Sequence, residues 1–169
     1  MNHAVHQRMV ETRNNLIKNI KLLSYDAFNY KSEPHQWSIA QICHHLVLVE
    51  KATVKAITWG LSQSSELNTE RKNVQLILDR TKKLQAPEIV EPDTAPFDVK
   101  RIIELLNESR NELITRIRLI DDPSILKTKS VYHPAFGDLS LDQWIEAVYL
   151  HEERHMEQIR VNLSLLDLC

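Results

Sequence analysis

Glycine is nearly absent from this sequence, and cysteine is as scarce. The 169 residues include two glycines and two cysteines, Cys43 and Cys169. Hairpins and tight turns depend on glycine, so its scarcity favours long helices joined by few tight turns. Two cysteines so far apart predict no structural disulfide, which is typical of a protein in a reducing compartment.

The sequence also lacks a basic excess and any long apolar run. Its formal net charge is −2, and its longest basic cluster is Arg80 with Lys82 and Lys83. We interpret this cluster as a solvated helix end, because nucleic-acid binding needs a broader basic surface. No window approaches the roughly 20 apolar residues that span a bilayer, and the N-terminus lacks an apolar signal core. We therefore expect a cytoplasmic protein without nucleic-acid or membrane partners.

Residues 1–169 are expected to form a single all-α domain. Four segments have helical periodicity, and two of them start with an S-x-x-Q capping-box pattern at Ser38 and Ser140. Residues 62–96 separate the second segment from the third, and 70–84 could form a shorter helix. Such a long crossover predicts a four-helix bundle with up-down-down-up topology. The four segments are about His3 to Leu23, Ser38 to Leu61, Val99 to Ile120, and Ser140 almost to the C-terminus.

Two of the eight histidines have the spacing of metal ligands. His151 and His155 lie at positions i and i+4 of the fourth helix, which places both rings on one face. They flank its apolar stripe, and this spacing recurs in helical zinc sites. Two ordinary surface histidines would show the same spacing. Glu152 and Gln158 are candidates for orienting a ring N–H.

A third ligand must come from another helix, and His45 is the best candidate. The rings of His44 and His45 point about 100° apart, and only His45 lies at the edge of the second helix's apolar stripe. The alternative is a boundary histidine bound to a backbone carbonyl or to water. Three histidines would leave a fourth position of a divalent metal open for water or substrate. Imidazole suits zinc, nickel and iron alike.

Three stretches of the chain resemble the DinB/YfiT-like superfamily of bacterial four-helix proteins. The segment 37–46, WSIAQICHHL, is similar to a family element in which the metal histidine follows the tryptophan by eight residues, here His45. Ala86-Pro87-Glu88 with Pro92 resembles the family's proline-marked crossover. His133-Pro-Ala-Phe-Gly137, followed by His151, His155 and Gln158-Ile159, resembles the family's H-P-x-F-G…H-x-x-x-H-x-x-Q-I ending.

The resemblance implies a fold and a metal site but no single reaction. It implies an up-down-down-up bundle, often a homodimer, with zinc, nickel or iron on His45, His151 and His155. Some members are thiol transferases that use bacillithiol, mycothiol or glutathione, and others are maleylpyruvate isomerases. Many are classed only as metal-dependent hydrolases or damage-inducible proteins. Nothing in this sequence identifies a pocket for a thiol cofactor.

Four other residues have two interpretations each. Trp37 and Trp144 are interpreted as packing residues, with substrate contact as the alternative. Cys43 is interpreted as a buried, inert thiol, with nucleophile as the alternative. His133 is interpreted as a structural hydrogen-bonding residue, with proton shuttle as the alternative.

Three functional hypotheses remain open at this point. The leading hypothesis is an enzyme whose metal activates a low-molecular-weight thiol, or water, against a small electrophilic substrate. The second is a non-catalytic metal-binding or stress-induced interaction module. The third is a helical scaffold whose histidines bind nothing.

Overall fold

The computed structural model describes residues 3–64, 69–81 and 85–166. Four long helices make up most of these residues, as the all-α expectation requires. The long helices are α1 (His3–Ile20), α3 (Ile39–Ser62), α4 (Val99–Arg118) and α6 (Leu141–Leu166). The short elements are α2 (Tyr25–Asn29), α5 (Ile125–Thr128), two 3-10 helices at Val74–Leu78 and Glu88–Val90, and strands β1 (Ser130–His133) and β2 (Gly137–Ser140).

The four long helices run in up-down-down-up order. One apolar cluster joins the first halves of α1 and α6 to the second halves of α3 and α4. A second cluster joins the opposite halves of the same helices. Helices α3 and α4 are therefore parallel to each other and antiparallel to α1 and α6, which confirms the topology expected from the long crossover. The first cluster includes Met9, Ile57, Leu113 and Leu150, and the second includes Leu16, Ile42, Leu106 and Ile159.

A buried layer of charged residues separates the two apolar clusters. Each long helix contributes one residue to this charge layer, which consists of Arg13, Glu50, Arg110 and Glu152. Arg13 Nε lies 2.7 Å from Glu152 Oε1 and Arg13 Nη2 lies 3.0 Å from Glu50 Oε2. Arg110 Nε lies 2.5 Å from Glu50 Oε1, and its Nη2 lies 3.0 Å from Glu152 Oε2. Two positive and two negative charges thus balance inside the bundle, as buried charges must.

The two expected capping boxes have different outcomes. At the start of α3, Ser38 Oγ accepts the Gln41 N–H and Gln41 Oε1 accepts the Ser38 N–H, so this capping box is confirmed. At the start of α6 the expectation is wrong. Ser140 belongs to β2 and donates to Asp142 Oδ1 at 2.6 Å. The Gln143 amide instead bonds both backbone groups of Lys72, which attaches the crossover to α6.

The crossover contains less helix than the sequence suggests. The sequence offers 70–84 as a candidate for a shorter helix, and within the described part of that range the regular structure is the 3-10 helix Val74–Leu78. Side chains of α6 form hydrogen bonds with backbone groups of the crossover, and these bonds satisfy groups that would be paired with each other in an α-helix. Besides Gln143, Arg154 Nη1 donates to Ile77 O at 2.8 Å and to Asp79 O at 2.5 Å.

A β-hairpin leads into α6. The sequence analysis does not predict this hairpin, because the scarcity of glycine favours helices joined by few tight turns. Strands β1 and β2 pair antiparallel, with His133 opposite Gly137. Gly137 has a φ of 67°, the left-handed conformation that glycine adopts without strain. One of the two glycines therefore stands where a short hairpin needs it.

None of the described helices combines the length and apolar character needed to cross a lipid bilayer.

Candidate metal centre

Three histidines from two helices converge where α3 crosses α6. His45 lies on α3, and His151 and His155 lie one turn apart on α6. His151 Nε2 is 3.4 Å from His45 Nε2 and 3.2 Å from His155 Nε2. One nitrogen from each ring lies within 4.8 Å of the other two. The structure thus brings together all three residues that the sequence selects as metal ligands, and this cluster could hold a metal ion.

Two of the three rings are oriented by hydrogen bonds on the side away from the cluster. His45 Nδ1 lies 2.7 Å from Val90 O in the crossover. His155 Nδ1 lies 2.9 Å from Gln158 Oε1, one turn further along α6. A carbonyl oxygen can only accept, so both Nδ1 atoms carry the proton and both Nε2 atoms present a lone pair to the centre. Gln158 therefore orients a ring, as the sequence suggests, and Val90 is a partner that the sequence does not identify.

The third ring, His151, has no such anchor. Its buried Nδ1 has no hydrogen-bond partner among the described residues. If its Nε2 carried the proton, it could satisfy only one of the two facing lone pairs. A cation at the centre would accept the lone pairs of all three Nε2 atoms at once, so the arrangement of these three nitrogens suits a metal better than it suits three neutral rings.

The Nε2 separations also fit a metal of ordinary size. With metal–nitrogen bonds of roughly 2.0–2.1 Å and tetrahedral angles, two ligand nitrogens lie about 3.3 Å apart. The two separations measured from His151 Nε2, 3.4 Å and 3.2 Å, match this value. Zinc, nickel and iron all accept imidazole, so the donor set does not choose among them.

The electrostatic environment keeps the three rings neutral near pH 7. Burial lowers the pKa of His45 from its ordinary value. Burial, followed by repulsion from His155 and His45, holds the pKa of His151 well below it. Burial, with repulsion from His45, lowers the pKa of His155 to about 3. Neutral imidazole is the form that binds metal, so little competition from protons is expected.

Glu152, the other candidate for orienting a ring N–H, does not contact a histidine ring through a recorded hydrogen bond. Its carboxylate accepts from Thr12, Arg13 and Arg110 and completes the charge layer. Those arginines hold the pKa of Glu152 below its usual range despite the opposing effect of burial. Helical spacing places Glu152 on the stripe but cannot show that arginines from two other helices reach it.

The residues around the cluster mostly have structural roles. Trp37 packs against the His45 ring at 4.9 Å, and Trp144 donates its Nε1–H to Val131 O at 3.1 Å. His44 Nδ1 accepts the Asp93 N–H at 3.0 Å, so it attaches the crossover to α3. Cys43 is fully buried, and burial raises the pKa of its thiol, which agrees with an inert residue. Cys169 lies outside the described residues.

His133 makes the structural hydrogen bond that the sequence suggests. Its Nδ1 accepts the Ala135 N–H at 3.1 Å, and its ring packs against Trp144 at 4.5 Å. Burial lowers the pKa of His133 to about 4. It is therefore neutral and only weakly basic near pH 7, and a proton-shuttle role stays a prediction.

The chain also matches known proteins along most of its length. The family model of the DinB superfamily matches residues 8–159. The chain belongs to the DinB superfamily. Among curated proteins, the chain is similar to the uncharacterized protein YuaE of Bacillus subtilis (strain 168), with 27% identity over 158 residues that cover 92% of each chain.

A solved structure agrees with the four-helix architecture. The crystal structure of TT2238, a four-helix bundle protein, superposes with a TM-score of 0.63. The match covers 94% of this chain and 97% of TT2238, at 16% identity. This likeness supports the four-helix architecture and says nothing of activity.

Proposed function

We propose that this DinB protein is a metal-dependent enzyme that uses His45, His151 and His155 to hold one divalent transition metal. The metal would activate a low-molecular-weight thiol for transfer to an electrophilic small molecule, or activate water for hydrolysis. The observation that carries the proposal is the convergence of three Nε2 atoms, two of them fixed as lone-pair donors by Val90 and Gln158. Zinc, nickel or iron would suit this donor set.

The proposed chemistry depends on a coordination position that the protein leaves free. Within residues 3–64, 69–81 and 85–166, the metal-ligand cluster has three members and no fourth His, Cys, Asp or Glu. A divalent metal bound there would lower the pKa of an adjacent thiol or water towards neutrality. Three protein ligands are typical of catalytic zinc sites, whereas structural sites have four.

The residues of the chain itself would orient the rings and restrict water. Val90 and Gln158 fix two imidazoles, and Trp37 covers one side of His45. His45 and His155 are only 4% and 8% exposed, whereas His151 is half-buried. A small molecule would therefore approach from the His151 side.

A non-catalytic metal-binding module is the second candidate. The deep burial of His45 and His155 favours it, because a site so well covered could serve to hold the metal alone. Turnover distinguishes the two candidates. Homodimer formation, which the family resemblance implies, also stays a proposal, and light scattering of the purified protein tests it.

An activity screen with and without metal tests the enzyme proposal. Untagged protein would be assayed with glutathione and 1-chloro-2,4-dinitrobenzene, and separately with p-nitrophenyl acetate. In the first reaction the thiol sulfur forms the new C–S bond, chloride leaves with its electron pair, and the thiol proton passes to buffer. Turnover that disappears with a chelator and returns with zinc, nickel or iron would support the proposal.

Two variants control this screen. His155→Ala should abolish metal-dependent turnover, while His35→Ala, an exposed histidine in a loop, should leave it unchanged. Bound metal without turnover of thiol or ester substrates would favour the non-catalytic module instead.

A further inference from the structure

The crossover between α3 and α4 is attached to both of the helices that carry the three histidines. Its first described stretch, 69–81, binds α6, where Arg71 Nη1 lies 2.7 Å from Asp142 Oδ2. Its second stretch, 85–98, lies against α3 and supplies the carbonyl that accepts the Nδ1–H of His45. The second stretch is therefore in direct contact with one of the three candidate metal ligands.

The basic cluster of the sequence, Arg80 with Lys82 and Lys83, falls between the bonds of these two stretches. Arg80 is exposed in a turn and does not end a helix, so its interpretation as part of a solvated helix end is wrong. Lys82 and Lys83 lie outside the described residues. The attachments that reach the histidines belong to the second stretch.

Two adjacent histidines of α3 bind the two ends of one short segment of the crossover. His45 Nδ1 donates to Val90 O at 2.7 Å, and His44 Nδ1 accepts the Asp93 N–H at 3.0 Å. Gln41 Nε2 also donates to Asp93 O at 3.2 Å. Both backbone groups of Asp93 are therefore bound to α3, one turn of the helix apart.

This segment, residues 90–93, is called the latch, and its backbone is stiff. The ring of Pro92 fixes its φ, and the residue is buried. Glu91 has a φ of −64° and a ψ of 132°, the extended conformation that a following proline favours. The Val90 carbonyl can therefore move little while Asp93 is bound to α3. The bonds to Asp93 thus fix the acceptor of the histidine proton.

A second contact of His44 supports the same attachment. The rings of Phe97 and His44 pack with their centroids 4.7 Å apart. Asn29 in turn accepts the Phe97 N–H at 2.8 Å and donates to Phe97 O at 2.9 Å. His44 therefore contacts both the latch and the anchored residue that follows it in the crossover.

We propose that His44 is a positioning residue of the metal centre. It holds the latch on α3, and the latch holds the Val90 carbonyl that fixes the His45 ring as a metal ligand. Metal binding and attachment of the latch then strengthen each other. This inference rests on the proposed metal site and adds a segment of the chain whose conformation is linked to it.

The linkage follows from the tautomer of His45. The hydrogen bond at one ring nitrogen decides which nitrogen carries the proton. With the latch detached, the His45 ring loses its acceptor, and only a fraction of the molecules present an Nε2 lone pair to the cluster. The apparent metal affinity falls by that fraction. Linkage is reciprocal, so a bound metal must favour the attached latch by the same factor.

Zinc affinity in two variants of His44 tests the inference without measuring activity. His44→Leu removes the acceptor of the Asp93 N–H, and we expect about three- to tenfold weaker zinc binding in a competition titration, the effect of one hydrogen bond. In His44→Asn the amide Oδ1 is as many bonds from the backbone as Nδ1 and can accept the same N–H. This variant should bind zinc nearly as tightly as the parent protein.

Hydrogen exchange of the crossover tests the reverse direction of the linkage in the parent protein. Zinc should slow exchange of the backbone amides in a peptide covering 86–97, because it favours the attached latch. Without zinc, the same peptide should exchange faster in His44→Leu than in the parent protein. A purely structural role of His44 would change the second result but would give no response to zinc in the first.

Arg71→Gln is the matched control, because it removes an ion pair that attaches the other stretch of the crossover to α6. It should change neither zinc affinity nor exchange of 86–97, and circular dichroism would check that all variants fold.

The outcomes separate the inference from the proposed function. If the parent protein binds zinc but His44→Leu binds it equally well, or if zinc does not slow exchange of 86–97, the latch inference is wrong and the metal site stands. An equal loss of affinity in Arg71→Gln or in His44→Asn would also overturn the role of the Asp93 bond. Nearly complete loss of zinc in His44→Leu would make His44 a ligand. If the parent protein binds no zinc, both the metal site and the inference fail.

Discussion

Replacing Glu152 by glutamine should strongly destabilise the bundle. The carboxylate is 1% exposed and pairs with Arg13 and Arg110 from two other helices. The change leaves two buried arginines with Glu50 as the remaining carboxylate of the charge layer. Removing one partner of a buried ion pair costs roughly 3–5 kcal/mol. We expect about 3 kcal/mol, the lower end of that range, because Glu50 still contacts both arginines.

Urea unfolding with a chelator present would measure this loss without a contribution from metal. The matched control is Glu153→Gln on the next residue, whose side chain is 25% exposed and pairs with the 49% exposed Arg8. An exposed pair contributes at most about 1 kcal/mol, so the control should remain near the parent protein. The urea dependence of the free energy should not change, because both variants bury the same surface. A loss for Glu152→Gln no larger than that of the control would refute our account of the charge layer.

Three further predictions concern the site and the elements that support it. Gln158→Leu removes the acceptor of the His155 Nδ1–H and should weaken zinc binding roughly 10–100-fold in a competition titration against a chelator; unchanged affinity would show that Gln158 does not orient the ring. Gly60→Ala places a Cβ 2.8 Å from Val131 Cγ2, so overpacking of roughly 1–3 kcal/mol should exceed the helix-propensity gain of about 1 kcal/mol and lower the thermal midpoint; a higher midpoint would contradict this. Burial lowers the pKa of His133 to about 4 in the folded protein, so His133 takes up a proton at a higher pH in the unfolded chain than in the folded protein. The free energy of unfolding should therefore decrease as the pH falls from about 6.5 towards 4. With a chelator present, His133→Gln should reduce this decrease in the free energy of unfolding by roughly 1–3 kcal/mol. If the free energy of unfolding depends on pH in the same way in the variant and the parent protein, His133 makes no such contribution.

The sequence predicts the architecture well because the decisive signals are local. Helical periodicity marks all four long helices, and the Ser38 capping box sets the start of α3. The i, i+4 spacing of His151 and His155 predicts a shared face, and the position of His45 on its apolar stripe predicts that it points inward. Each of these inferences needs only the geometry of one helix.

The features that the sequence does not predict depend on contacts between distant segments. The charge layer requires Arg13 and Arg110 to meet Glu50 and Glu152, and helical spacing on one segment cannot show such pairing. The hairpin before α6 has two four-residue strands, and Gly137 is its main local signal. Likewise, only the packing of the crossover on the bundle places Arg154 against its backbone.

The metal content of the untagged protein tests the central claim most directly. After loading with zinc and removal of excess metal, elemental analysis should find about one ion per chain in the parent protein and in His35→Ala, as expected for a single three-histidine site. His155→Ala should retain almost none. Equal zinc content in His155→Ala and the parent protein would contradict the assignment of His45, His151 and His155 as the metal ligands.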